Sequence, residues 1–255
     1  MRSLIIAPPD EKRLAEALAS GAGAVIVDLA LAPSGQRRAG REAAARFLKG
    51  ARGVGPELVV AVNALDSGEA DADLDAVMGC APDAILLPGS VGAASVQHLS
   101  VKLAVHEADF AVPDGATRII AVVDTAQALL NMASYRGSSG RLAGLAWSAA
   151  SLRAEIGAET DRDPSGAYVG VFRLARDLTL LAAAAAGVPA IDAAFADVSD
   201  AEGLRAEAIA ARRDGFSAKL AISPAQASII SEVFRSRSIP LGERSPSSGH
   251  RWGTD

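Results

Sequence analysis

A chain of 255 residues, half of them hydrophobic, has room for one large α/β domain or two small ones and for a sizeable core. A formal net charge of −5 with only 4% aromatic residues excludes the basic, aromatic-bearing surface of a nucleic-acid binder. A single cysteine, Cys80, excludes an internal disulfide and makes a reducing, cytoplasmic setting the expectation.

The first apolar run, Ser3 to Ala7, is a strand stopped by Pro8-Pro9. It meets Asp10-Glu11-Lys12-Arg13 too soon for a signal peptide. Pro9 to Leu18 starts a helix with proline and acids in its first turn, and Gly21 and Gly23 close it. Ala24 to Asp28 is a second, buried strand. Gln36 to Lys49 is a basic helix that turns Ala44, Phe47 and Leu48 inward. Leu58 to Asn63 is the third strand and Asp71 to Met78 a short helix. Ala84 to Pro88 is the fourth strand and Ala94 to Asp109 its helix. Arg118 to Asp124 and Leu142 to Trp147 are strands five and six, with a polar helix and a Gly-Ser turn between them. Val169 to Ala186 is a long alanine-rich helix, too short in its apolar part to cross a membrane. Ala190 to Phe195 is strand seven and Ala201 to Arg213 a helix. Ala218 to Ile222 is strand eight, and Pro224 to Phe234 closes the rhythm.

Eight strands alternating with helices predict an α/β (β/α)8 TIM barrel, a single domain over 1–235. Such barrels take roughly 250 residues. A doubly wound sheet fits less well, because no Gly-x-Gly-x-x-Gly follows strand one. Residues 236–255, rich in Ser, Pro, Gly and charge, predict a flexible C-terminal tail.

Parallel barrels do their chemistry at the carboxyl ends of their strands. Asp28, Asn63, Asp124 and Ser148 all stand at such ends and are expected on one rim. Asp124 reads as a strand-end acid bonded to loop N–H groups. Asp28 reads as an acid bonded to backbone near a helix start, and Asp66 as a cap. Asn63 and Ser148 are candidate substrate contacts. Trp147 reads as a ring to stack on a ligand or as core filler. Arg2 reads as a phosphate contact or a solvated side chain. Arg141, Arg153 and Arg162 read as exposed, with Arg153 in reach of an acid ligand. Cys80 reads as a small buried filler. His98 and His106 fall on the fourth helix and His250 in the tail, so no base is placed for a serine or cysteine nucleophile.

Several segments match one family: Arg2-Ser-Leu, Asp28-Leu29, Val62-Asn63 with Leu65-Asp66, Leu87-Pro88, Thr125-Ala126, Ala186-Gly-Val-Pro-Ala-Ile-Asp192, Glu202 to Phe216, and Lys219-Leu-Ala-Ile-Ser-Pro-Ala-Gln226. The chain resembles the citrate lyase β-subunit-like branch of the HpcH/HpaI aldolase superfamily. That resemblance implies a barrel that cleaves or forms C–C bonds in CoA thioesters or short oxo acids with Mg2+ and no organic cofactor. It also implies a homotrimer. By the same resemblance Asp124 and Ser151 occupy the two metal-ligand positions, one a shortened glutamate and the other a replaced aspartate. Ala30, Ala61, Gly89, Val91 and Ser223 stand where the family carries acidic or basic groups or histidine. Asp197 matches an acid that serves a neighbouring subunit. Two functions follow: a barrel with a degraded metal site and little or no lyase activity, or a divergent C–C lyase anchored on Asp124.

Overall fold

The computed structural model describes residues 2–53 and 55–235. Its eight strands are β1 (Ser3–Ala7), β2 (Ala24–Asp28), β3 (Glu57–Ala61), β4 (Ala84–Leu87), β5 (Arg118–Val123), β6 (Leu142–Trp147), β7 (Ala190–Asp192) and β8 (Ala218–Ala221). All pair in parallel in chain order, and β1 pairs with β8 to close the barrel. Around it lie α1 (Glu11–Ala19), α2 (Arg37–Ala51), α3 (Ala70–Val77), α4 (Ala93–Asp109), α5 (Ala126–Leu130), α6 (Ala149–Ile156), α7 (Gly170–Ala186), α8 (Ala201–Asp214) and α9 (Pro224–Phe234). The expected tail lies outside the described residues. Among the described residues no helix is long and apolar enough to cross a membrane.

The period-two alternation of each strand makes two cores. Leu4, Ile26, Val59, Leu86, Ile120, Val122 and Leu220 face the barrel axis. Val25, Val27, Val60, Ile85, Ile119 and Leu145 face the helices. The inner phase continued to the carboxyl end of each strand brings Asp28, Asn63, Asp124 and Ser148 to the carboxyl rim, as expected. Continuing it to the other end brings Glu57 and Arg118 to the amino rim.

Boundaries shift where side chains capture the backbone. β3 ends at Ala61 rather than Asn63, because the Asn63 N–H donates to Asp73 at 2.8 Å instead of to a strand. β7 ends at Asp192 rather than Phe195, since Lys219 and Gln226 donate to the carbonyls of Ala193 and Phe195. α1 begins at Glu11 because Asp10 is its cap, accepting the Arg13 N–H. Cys80 is buried, as expected.

Candidate active site at the carboxyl rim

Asp124 follows β5 and is 8% exposed. The Gly89 amide donates to both of its carboxylate oxygens, at 3.0 and 3.2 Å. Gly89 sits at φ +63°, where a side chain would be strained. Its loop is pinned from below. Tyr135 donates to the carbonyl and hydroxyl of Ser90, both at 3.1 Å, and Asn131 to the Val91 carbonyl at 3.0 Å. Burial pushes the Asp124 carboxyl up to about 6, with nearby Glu155 adding to the rise and the Gly89 bond opposing it. A carboxyl poised there can take or give a proton near neutral pH.

The rest of the rim is built from caps and buried pairs. Asp28 accepts the Ala30 N–H at 3.0 Å; burial, reinforced by Asp73, raises its carboxyl. Asn63 donates through its amide nitrogen to Asp73 at 2.7 Å. Asp73 is 1% exposed and takes the Arg41 guanidinium at 2.7 Å, and Arg41 and Arg37 share Glu69. Ser148 caps α6 through the Ser151 N–H, and the two hydroxyls lie 2.9 Å apart. Ser151 is therefore engaged within the cap.

Several expectations are decided or corrected. Trp147 is fully buried on the helix side of β6, so its ring has no face open to a ligand. Its indole N–H donates to Asp192 at 2.9 Å and its ring meets Tyr168 edge-on. Arg2 precedes β1 and stands at the amino end, a strand length of about 16 Å from the rim. Asp66 is not the cap of the helix that follows: α3 starts after Glu69, whose N–H goes to Ser67. Arg141 and Arg162 are likewise not exposed. Arg141 is buried against Glu107 at 2.7 Å, and Arg162 lies over the Tyr168 ring and pairs with Glu207 at 2.6 Å. Asp197 accepts from Ser199 in a local turn.

Two residues of the site were not singled out by sequence. Glu155 accepts the Ala126 N–H at 2.6 Å and stands one helical turn after Ser151, a spacing that would have flagged it. Asp73 holds Asn63 from within α3, and only the fold reveals that.

The two family ligand positions hold one carboxylate, Asp124, and one hydroxyl, Ser151. Asp124 already binds a backbone amide, the Ser151 position offers a neutral hydroxyl held in a cap, and Glu155 holds the start of α5. Among the described residues no three His, Cys, Asp or Glu side chains are placed to hold a metal ion.

Residues 2–224 match the family HpcH/HpaI aldolase/citrate lyase. Over 231 residues the chain is 31% identical to the citrate lyase subunit beta-like protein of Mycobacterium tuberculosis, covering 91% of this chain and 78% of that one. It is 34% identical over 176 residues to the (3S)-malyl-CoA thioesterase of Cereibacter sphaeroides, covering 69% of this chain and 56% of the relative. Among solved structures it superposes on the CitE protein of M. tuberculosis in complex with magnesium, acetoacetate and coenzyme A, with TM-score 0.77, 31% identity, and coverage of 92% and 80%. RipC from Yersinia pestis superposes with TM-score 0.71 at 32% identity, covering 92% and 94%. The chain belongs to the HpcH/HpaI aldolase/citrate lyase family.

Proposed function

We propose that this protein is a citrate lyase β-subunit-like barrel that binds a small acid or its CoA thioester at the carboxyl rim and has lost most or all of the Mg2+-dependent C–C cleavage. The observation that carries this reading is the Asp124–Gly89 contact. The one acid left at a ligand position is satisfied by a backbone amide, and its partner position is a capping serine. Asn63 and Ser148 are the substrate contacts in this reading. The assembly is a cytoplasmic homotrimer, for which exposed Leu130, Leu174 and Leu181 supply apolar surface. The test is turnover of citryl- and malyl-type thioesters with and without Mg2+. Mg2+-dependent cleavage at a rate typical of enzymes would overturn it.

A second reading is favoured by Glu155. Its carboxylate lies close enough to raise the Asp124 carboxyl, so the pair supplies two negative charges to a divalent ion. In that reading the chain remains a divergent C–C lyase anchored on Asp124. Glu155→Gln then abolishes cleavage, whereas in the first reading there is none to lose.

A further inference from the structure

At the carboxyl end of the barrel, polar and apolar groups are segregated. Over β2, β3, β5 and β6 stand Asp28, Asn63, Asp124 and Ser148, each engaged with protein groups. Over β7, β8 and β1 stand Ala194, Ile222 and Ile6. Ile6 and Ala194 pack on the inner core and stay half-buried. Ile222 follows Leu220 by two residues, on the same inner phase, and is 42% exposed. The ladder sets Ile5 beside Ala221, so Ile6 and Ile222 are neighbours across one strand spacing of about 4.8 Å.

One buried polar side chain holds the apolar side in place. Gln226, 2% exposed, accepts the Ile222 N–H at 3.0 Å and donates to the Phe195 carbonyl at 2.9 Å. It ties the ends of β7 and β8 together and satisfies backbone groups beside Ile222 and Ala194. Ser223 is turned to the same helix, where it caps α9 through the Gln226 N–H at 3.2 Å.

No lysine, arginine or histidine stands on an inner position at this end of any strand. Arg41, behind Asn63, is held by Asp73 and Glu69, and Arg153 is exposed in the last turn of α6. An acyl group that ends in a carboxylate would meet Asp28, Asp124 and Glu155 with no cation to answer it, and like charges brought together are costly. An alkyl group would meet Ile6, Ala194 and Ile222 instead. We propose that the β7–β8–β1 side of the mouth seats the acyl group of a thioester, and that this group is a short, uncharged alkyl chain. The inference rests on the reading that the carboxyl rim binds a CoA thioester, and it names the class: thioesters of short monocarboxylic acids rather than of dicarboxylic acids.

The full chain is titrated calorimetrically, without added Mg2+, with coenzyme A, butyryl-CoA and succinyl-CoA. The two acyl groups have the same chain length and differ by a terminal carboxylate. Half-burying the alkyl tail is worth about a factor of ten, so butyryl-CoA should bind about tenfold tighter than coenzyme A. Succinyl-CoA should bind no tighter than coenzyme A. Ile222→Arg, at an exposed position, should tighten succinyl-CoA by about tenfold and bring butyryl-CoA down to the level of coenzyme A. Ile6→Ala should weaken butyryl-CoA alone, by about threefold. Unchanged binding of coenzyme A reports that each variant is folded. Succinyl-CoA binding to the wild type as tightly as butyryl-CoA, or butyryl-CoA no tighter than coenzyme A, would overturn the proposal and leave the thioester reading standing. Binding of none of the three would overturn the thioester reading as well.

Discussion

At the scale of single residues, Asp124 is costly to keep. Its carboxyl is raised from 3.8 to about 6 in the folded chain. The folded state therefore holds the proton more tightly than the unfolded chain. The associated stability is fully present below pH 3.8 and is lost as pH rises through 6. Two units correspond to about 3 kcal/mol of destabilisation once the group is ionised. Asp124→Asn keeps an oxygen for the Gly89 N–H and removes the charge. It should raise the unfolding free energy by about 2–3 kcal/mol at pH 7.5 and by little at pH 3.5. Denaturant titrations at the two values check this, and a pH-independent difference would contradict it. A buried acid that lowers stability at neutral pH is characteristic of sites retained for function. Sequence placed Asp124, Asn63 and Ser148 at the rim because apolar runs end there. It left Trp147 open between ligand contact and core filler because strand ends fix where a residue sits along the axis but not on which side the last side chain lies. The phase set by Leu145, which faces the helices, puts Trp147 there too.

At the scale of elements, β7, β8, α7 and α8 are held together by a buried ionic network. Lys219 is fully enclosed and donates to Asp192, Glu207 and the Ala193 carbonyl, at 2.8, 2.8 and 2.6 Å. Three acceptors match its three N–H groups. Burial alone would raise the Asp192 carboxyl, but Lys219 and Arg176 outweigh it and hold it low. Lys219→Met leaves buried Asp192 with Arg176 and half-buried Glu207 with Arg162 as their remaining cations and should cost about 3 kcal/mol. Asp192→Asn should also destabilise, and the double variant should lose less than the sum of the singles. Urea midpoints of the three variants measure this, and strict additivity would show that the pair is not coupled. This network was legible only in part. The motifs containing Asp192 and Lys219 were visible in sequence, but their pairing across adjacent parallel strands follows from Asp192 lying opposite Lys219 in the ladder. The same element logic explains the shortened β7: the side chains that form the network also take the backbone acceptors that would have extended the strand.

For the whole molecule, the alternation of apolar strands with helices was enough to specify the closed barrel, because eight βα units of this length have few other ways to bury both strand faces. What sequence left open was the state of the mouth, since a ligand position can be filled by a residue whose hydrogen bonds already lie elsewhere. The frame makes that state testable. Ser151 occupies the first turn of α6, where an aspartate is favoured by the helix dipole, so Ser151→Asp should fold. Combined with Asp124→Glu it places two carboxylates where the chain now has one, displacing the Gly89 amide contact and the Ser148–Ser151 hydroxyl contact. A second unit charge about 4 Å from a divalent ion is worth several kcal/mol at an effective dielectric near 20, less whatever water already supplies. We expect no calorimetric Mg2+ binding by the wild-type chain and measurable binding by the double variant. Thioester cleavage should remain absent in both, because Ala30 and Ala61 offer no group to orient a substrate or balance its charge. Tight Mg2+ binding by the wild-type chain would instead make Asp124 with Glu155 the metal site and restore the lyase reading.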